Sequence, residues 1–464
     1  MTSGDRVVVV GGGICGLAAA WELSADPSLE VVVVEASERL GGKIRTSAFA
    51  GRAVDEGADA FLLRVPEGRE LAGELGLGDS LVSPATSTAL VWCPDGLRAL
   101  PSGLVLGVPT DADALAGAGL VSPAAIEAVR AEPGVPGEPL DRDESVGSLV
   151  RRRFGDEVLR RLVEPLVGGI NAGEADELSV DAVVPQIATA ARRDRSLTAG
   201  LRAAAAEHPP APGPVFAAPR AGMGALIDEL ALGLAARGVD VRTGTPVVAI
   251  ERRADAWSVA VEGGAPEALE ATGVVVATPA PVASRLVAPI APAAASLLGG
   301  ITHASVAMVT LAIPVSSLGG DLDASGFLVP RDAGLTVTAA SWATSKWAHL
   351  ADGDTAILRV SCGHRADPRP VALPDDELVD VVLADLATTM GLDAAPTEVR
   401  ISRYVDGFPQ YEVGHLDRVA AIEGAVREAA PRLVVAGAAL RGLGVPACIR
   451  QGRQAAHQLV GSAR

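Results

Sequence analysis

What this chain lacks narrows it first: basic charge, paired cysteines and any long apolar run. Acidic residues outnumber basic ones to a net charge of −18, and only two lysines, Lys43 and Lys346, stand beside 37 arginines. A nucleic-acid partner needs a basic footprint and is excluded. The four cysteines, Cys15, Cys93, Cys362 and Cys448, form no C-x-x-C, so no zinc or redox-disulfide framework is present and a reduced cytoplasmic chain is expected. The nearest approach to a membrane-spanning run, residues 277–300, carries Arg285 and several prolines, so no transmembrane segment is expected. Residues 1–6 are short and polar, which argues against a signal peptide. Residues 103–109, GLVLGVP, leave open a peripheral membrane contact, although such a stretch is more often core or loop. There is no Ser/His/Asp set and no metal-ligand spacing, and His364 and His415 have no spaced partners, so no metal is expected and both histidines read as surface or structural.

What is present begins at Val7. Four valines, Val7 to Val10, form the uninterrupted β-branched run of a parallel strand buried on both faces. Gly11, Gly12, Gly13, Ile14, Cys15 and Gly16 follow as G-x-G-x-x-G, and residues 18–23 continue as a helix whose N-terminal amides face a phosphate. A second valine run, Val31 to Val34, ends at Glu35 and Ala36, about 20 residues on, where a carboxylate accepts ribose hydroxyls. That acid would repel a 2′-phosphate, so NADP is disfavoured.

Arg39, Gly41, Gly42 and Lys43 then settle between NAD and FAD. They resemble the R-x-G-G-[RK] extension of FAD proteins of the glutathione-reductase and amine-oxidase type. The fold class implied is α/β: a Rossmann-like FAD-binding domain with an α+β substrate-binding domain and a helical insertion. The resemblance implies that Gly57, Ala58, Asp59 and Ala60 line the flavin, that Val247 lies near the adenine, and that Gly444, Val445 and Pro446 start a helix aimed at the flavin. Proline in a first helical turn loses nothing by lacking an amide hydrogen.

The FAD domain is expected to be discontinuous, in residues 1–85, 213–299 and 400–464. Residues 86–212 read as a helical insertion facing substrate or membrane, with apolar positions at helical spacing from Val146 to Leu166. The proline-rich stretch 208–219 reads as a linker. Residues 300–399 alternate as strands with one amphipathic helix, 374–390, which suits a sheet roofing a substrate cavity.

Three further segments narrow the resemblance. Residues 162–179, LVEPLVGGINAGEADELS, are similar to the E-P-L-x-x-G-I-x-A-G-D-x-x-x-L-S segment of protoporphyrinogen and coproporphyrinogen oxidases; residues 403–415, RYVDGFPQYEVGH, resemble their R-W-x-x-x-x-P-Q-Y-x-x-G-H; and CIRQG at 448–452 matches C-I-x-x-G. Tyr404 replaces the usual Trp and, by the resemblance, would still stack near the flavin as a cofactor-binding residue; Asn171 replaces a frequent aromatic and Glu174 a frequent Asp. Asp59 stands where the mammalian type has Arg, and residues 88–90 lack the plant type's arginine, which favours the Gram-positive coproporphyrinogen III branch.

The resemblance implies removal of six electrons from a porphyrinogen through non-covalent FAD, with oxygen as acceptor and a ferrochelatase as a possible downstream partner. Leu328 and Trp347 would sandwich the macrocycle, unless they are simple core packing, and Arg64 and Lys346 would hold propionates. Protoporphyrinogen IX oxidase is the alternative reading, with amine oxidase or carotenoid desaturase further away.

Overall fold

The computed structural model of the protein describes residues 5–209, 213–262, 267–320, 322–351 and 353–461, so part of the expected linker, 210–212, lies outside the described residues. Its centre is a five-stranded parallel sheet in the order Asp240–Arg242, Leu29–Val34, Asp5–Val10, Gly273–Val276, Leu433–Val435. Both valine runs lie inside it, Val7 beside Val31 and Val10 beside Val34. Every valine of the two runs is at most 3% exposed. Full burial of each such side chain contributes about 1.5–3 kcal/mol, so these runs anchor the sheet. The last strand is shorter than the apolar stretch 432–439 suggests, because Gly437 turns the chain away at φ +136°.

Helices Ile14–Leu23, Gly224–Ala236 and Val445–Gly461 pack on one face of this sheet. Helices Ala280–Val287, Pro292–Gly299 and His415–Ala429 join an antiparallel three-stranded sheet, Val247–Arg253, Ala256–Val261 and Glu267–Ala271, against the other.

A seven-stranded sheet forms the second layer: Glu398–Pro409, His303–Pro314, Thr355–Cys362, Val337–Trp342, Gly326–Leu328, Leu90–Cys93, Gly96–Ala99. It reaches beyond 300–399 at both ends. The hairpin Leu90–Cys93 and Gly96–Ala99 joins it from the segment read as helical, pairing in parallel with Gly326–Leu328. The long strand Glu398–Pro409 pairs along His303–Pro314, so Arg403 and Tyr404 belong to this sheet by hydrogen bonding. Helix Asp375–Met390 backs the sheet through Leu378, Val382 and Leu386, each 0% exposed.

The helical segment surrounds its own core of Leu149, Val150, Phe154 and Leu162. Its first long helix is not continuous: Gly155 (φ +88°) breaks it, and Leu159–Val163 is a π-turn leading into Glu164–Asn171. Pro165 offers no amide to the preceding turn, which widens instead. The apolar stretch 103–109 is a small hairpin packed inward, with Val108 fully buried and Val105 and Leu106 against the helical core. Among the described residues no helix is long and apolar enough to cross one.

Candidate active site

The glycine turn shows which side is packed and which is open. Gly11 sits at φ +111°, and a side chain there would meet Ala277 O at 2.7 Å. A Cβ on Gly16 would fall 1.9 Å from Gly11 O, so the helix lies directly on the turn. Gly13, by contrast, has nothing within 4 Å of its Cβ position. It is the N-cap of Ile14–Leu23 and has no side-chain cap, leaving the first helical amides to a ligand. Ile14 and Cys15 face the core below. The Glu35 carboxylate accepts from Gly12 N at 2.6 Å and from Ser37 N at 2.8 Å, which holds it beside the turn with lone pairs left for hydroxyls.

Helix Val445–Gly461 supplies the second positive end. Cys15 O lies 2.1 Å from a Cβ built on Gly452, and Glu22 Oε1 lies 2.8 Å from His457 Nε2. These pairings make the first and last helices run parallel. Both N-termini therefore face the carboxyl ends of the parallel strands, the side where open α/β sheets bind ligands. Val445 and Pro446 are buried at that helix start, while Gly444 has open space where a side chain would be.

Further residues close around the same place. Gly13 bridges to Gly41, and a Cβ on Gly57 would lie 2.7 Å from the Tyr404 hydroxyl and 2.8 Å from Lys43 O. Lys43 is exposed at the edge of the turn, and desolvation by its neighbours lowers its ammonium pKa. Val247 starts a strand two residues after Thr245, whose amide donates to Glu35 O at 2.8 Å, and Ala36 is exposed beside it. Ala58 is exposed and Ala60 half-buried. The turn, the start of helix Ile14–Leu23, an acid and a nearby cation make a cradle that fits a dinucleotide diphosphate, with the start of helix Val445–Gly461 beside it.

Asp59 holds a different cluster. Its Oδ2 lies 2.8 Å from Lys346 Nζ and 2.9 Å from an Arg359 guanidinium nitrogen, and Trp347 Nε1 approaches to 3.4 Å. Burial pushes the Asp59 carboxyl up, but Lys346 and Arg359 outweigh it and hold the group well below the usual carboxylate range. Two cations on one carboxylate leave a net positive charge. Arg359, 5% exposed, also donates to Gly57 O. Sequence reasoning missed it, although an arginine inside the buried run Ile357, Leu358, Val360 demands a partner.

The expected substrate residues fall into two groups. Leu328 is half-buried, with Cδ2 3.9 Å from a Cβ built on Gly169, so it faces helix Glu164–Asn171, where Ile170 is 52% exposed. Arg64 is exposed just beyond Phe61–Leu62. Trp347 takes the second of its two readings: at 3% exposure it packs in the core with its indole N–H on Asp59. Lys346 is committed to Asp59, so its charge acts within the cluster rather than alone.

The two distant motifs, 162–179 and 403–415, meet. Leu178 bridges to Glu412, and Ser179 N donates to Tyr411 O at 2.8 Å. Arg331 reaches Glu164 at 4.0 Å and Gly173 O at 3.4 Å. Glu174 pairs with His364 Nδ1 at 2.5 Å, which gives that histidine the structural role expected of it. All four cysteines are buried and free.

A glycine cradle at the carboxyl end of a parallel sheet of this kind defines a dinucleotide-binding protein. The profile of the flavin containing amine oxidoreductase family matches residues 14–460, and the chain belongs to that family. Its relatives include proteins named coproporphyrinogen III oxidase from Bacillus subtilis (strain 168), 32% identical with 98% of each chain covered, and from Mycobacterium leprae (strain TN), 36% identical with 95% of each covered. A solved structure from Exiguobacterium sp. 255-15, named for protoporphyrinogen oxidase, superposes with a TM-score of 0.88 at 33% identity over 99% of each chain.

Proposed function

We propose that the protein oxidises coproporphyrinogen III to coproporphyrin III with bound FAD and oxygen as the electron acceptor, in haem biosynthesis. The observation that carries this is the whole-length likeness to coproporphyrinogen III oxidases, together with the packing of both porphyrinogen-oxidase motifs into one unit beside the cofactor cradle. Bound FAD would supply the two-electron oxidation of the substrate, with the electrons going to oxygen as peroxide.

The chain's own work is binding and orientation. The amides of the Gly11–Gly16 turn and the start of helix Ile14–Leu23 hold the diphosphate, the start of helix Val445–Gly461 faces the flavin, and Glu35 takes the ribose. Leu328 and the exposed Ile170 offer apolar surface to a macrocycle. The exposed guanidinium of Arg64 and the net positive charge of the Lys346–Asp59–Arg359 cluster draw its carboxylates. The cofactor body is residues 1–85, 213–299 and the part of 400–464 that follows the sheet strand. A ferrochelatase would collect the product.

Protoporphyrinogen IX is the second substrate reading, favoured by the name of the Exiguobacterium structure and by the name of a Bos taurus relative, protoporphyrinogen oxidase, 30% identical over 99% of each chain. The rate of porphyrin fluorescence gain under air, measured with each porphyrinogen, decides between them. Faster gain with coproporphyrinogen III is expected, and a preference for protoporphyrinogen IX overturns the reading.

A further inference from the structure

The loop from Gly437 to Gly444 must deliver the second helix end to the cofactor, yet it has little of its own to keep it in place. Gly437 and Gly442 adopt positive φ, at +136° and +115°, and Gly444 carries no side chain on the open side. A loop so rich in glycine is conformationally permissive unless something outside it fixes it.

Three buried side chains do so. The Tyr411 hydroxyl donates to Ala438 O and accepts from Gly442 N at 3.0 Å, joining the two ends of the loop. His415 Nε2 lies 2.8 Å from Leu440 O, at the loop's centre. A carbonyl only accepts, so this nitrogen carries the proton, and burial lowers the imidazole pKa, favouring the neutral ring. Gln451, from the C-terminal helix, donates to Gly442 O at 3.1 Å and accepts from Arg441 N at 3.1 Å. Tyr411, His415 and Gln451 are 3%, 2% and 5% exposed, and the first two rings stack with centroids 4.1 Å apart.

The same segment grips the substrate side. Gln410 Nε2 donates to Asn171 O at 3.0 Å, at the end of helix Glu164–Asn171. Adjacent residues, Gln410 and Tyr411, thus hold the helix that faces Leu328 and the loop that faces the cofactor.

We propose that Tyr411, His415 and Gln451 are positioning residues that set the place of the 437–444 loop against the cofactor, and that Gln410 ties this loop to the substrate-facing helix. The proposal rests on the flavin reading of the site and is independent of which porphyrinogen is oxidised. None of these side chains needs to touch the reacting atoms; each acts through backbone it holds.

The test is titration of apoprotein with FAD, following the visible spectrum, in Tyr411→Phe, Gln451→Leu and the control Leu378→Ala. Tyr411→Phe keeps the stacked ring and removes both hydroxyl bonds. It is expected to raise the Kd for FAD about tenfold, the effect of one to two hydrogen bonds, and to shift the flavin's long-wavelength band. Gln451→Leu reports on the same loop from its other side and serves if Tyr411→Phe does not accumulate folded. Leu378→Ala, in the helix behind the roof sheet, is expected to lower Tm while leaving Kd and spectrum unchanged. Wild-type Kd and spectrum in both loop variants, or equal shifts in Leu378→Ala, would overturn the proposal. Failure of the wild-type protein to take up FAD would instead overturn the flavin reading beneath it.

Discussion

Asp59 and Lys346, 287 positions apart in the chain, lie 2.8 Å from each other, with Arg359 closing on the same carboxylate oxygen. The first comes from the loop between strands Arg52–Asp55 and Phe61–Leu62 and the other two from the seven-stranded layer, so one carboxylate joins the two layers. Removing it alone strands two cations. Asp59→Asn is expected to cost about 3 kcal/mol in urea unfolding, whereas Lys346→Met, which leaves Arg359 to neutralise Asp59, should cost about 1 kcal/mol. Equal losses in the two variants would show that the carboxylate is not the hub.

The glycine turn separates folding from binding. Gly13→Ala places a methyl group in open space at φ −74°, which alanine accepts, so Tm should hold while the Kd for FAD rises at least about tenfold as the phosphate is displaced. Gly16→Ala drives a methyl group into Gly11 O and should lower Tm steeply. Calorimetry and FAD titration on the pair distinguish the two roles. A Gly13→Ala protein that binds FAD normally would place the diphosphate elsewhere.

Burial, reinforced by Glu174, pushes the Glu164 carboxyl up to about 7, against the pull of Arg331. The folded state then binds this proton more tightly than the unfolded chain. Its contribution to stability is full below the unfolded value near 4.5 and is lost as pH rises through 7. Glu164→Gln keeps an acceptor for Ala175 N and cannot ionise. Its stability relative to wild type should therefore improve between pH 5 and pH 8, by about 2 kcal/mol. Denaturant curves at the two pH values measure this, and a constant difference would mean that Glu164 does not titrate there.

The flavin is expected to be held without a covalent bond. Cys448 lies in the first turns of the last helix, but it is 5% exposed and burial pushes its thiol up to about 11, so it carries no thiolate at neutral pH. Acid precipitation should leave the yellow colour in the supernatant. Colour in the pellet would contradict this.

The parts of this fold that were legible in the chain are those governed by local periodicity and backbone demand. Val7 to Val10 could only be a buried strand, and Gly11, Gly13 and Gly16 each answer a steric need that the structure shows separately. Non-local pairing was less readable. Nothing between Leu90 and Ala99 announces a parallel partner at Phe327 and Leu328, and Tyr404 looked like a cofactor-domain residue because its strand's partner lies about a hundred positions earlier. Trp347 was ambiguous for a physical reason: an aromatic ring packs a core as readily as a ligand, and only its burial beside Asp59 distinguishes the two. The loop held by Tyr411, His415 and Gln451 was invisible because backbone carbonyls, which carry no sequence signal, are what these side chains bind.

The central claim is that this flavin site acts on a tetracarboxylate porphyrinogen. Its most direct test is the ratio of kcat/KM for coproporphyrinogen III to that for protoporphyrinogen IX, read as fluorescence gain under air with the FAD-loaded protein. A ratio well above one is expected, falling towards one in Arg64→Ala as KM for the tetracarboxylate rises. A ratio below one in the wild-type protein would contradict it.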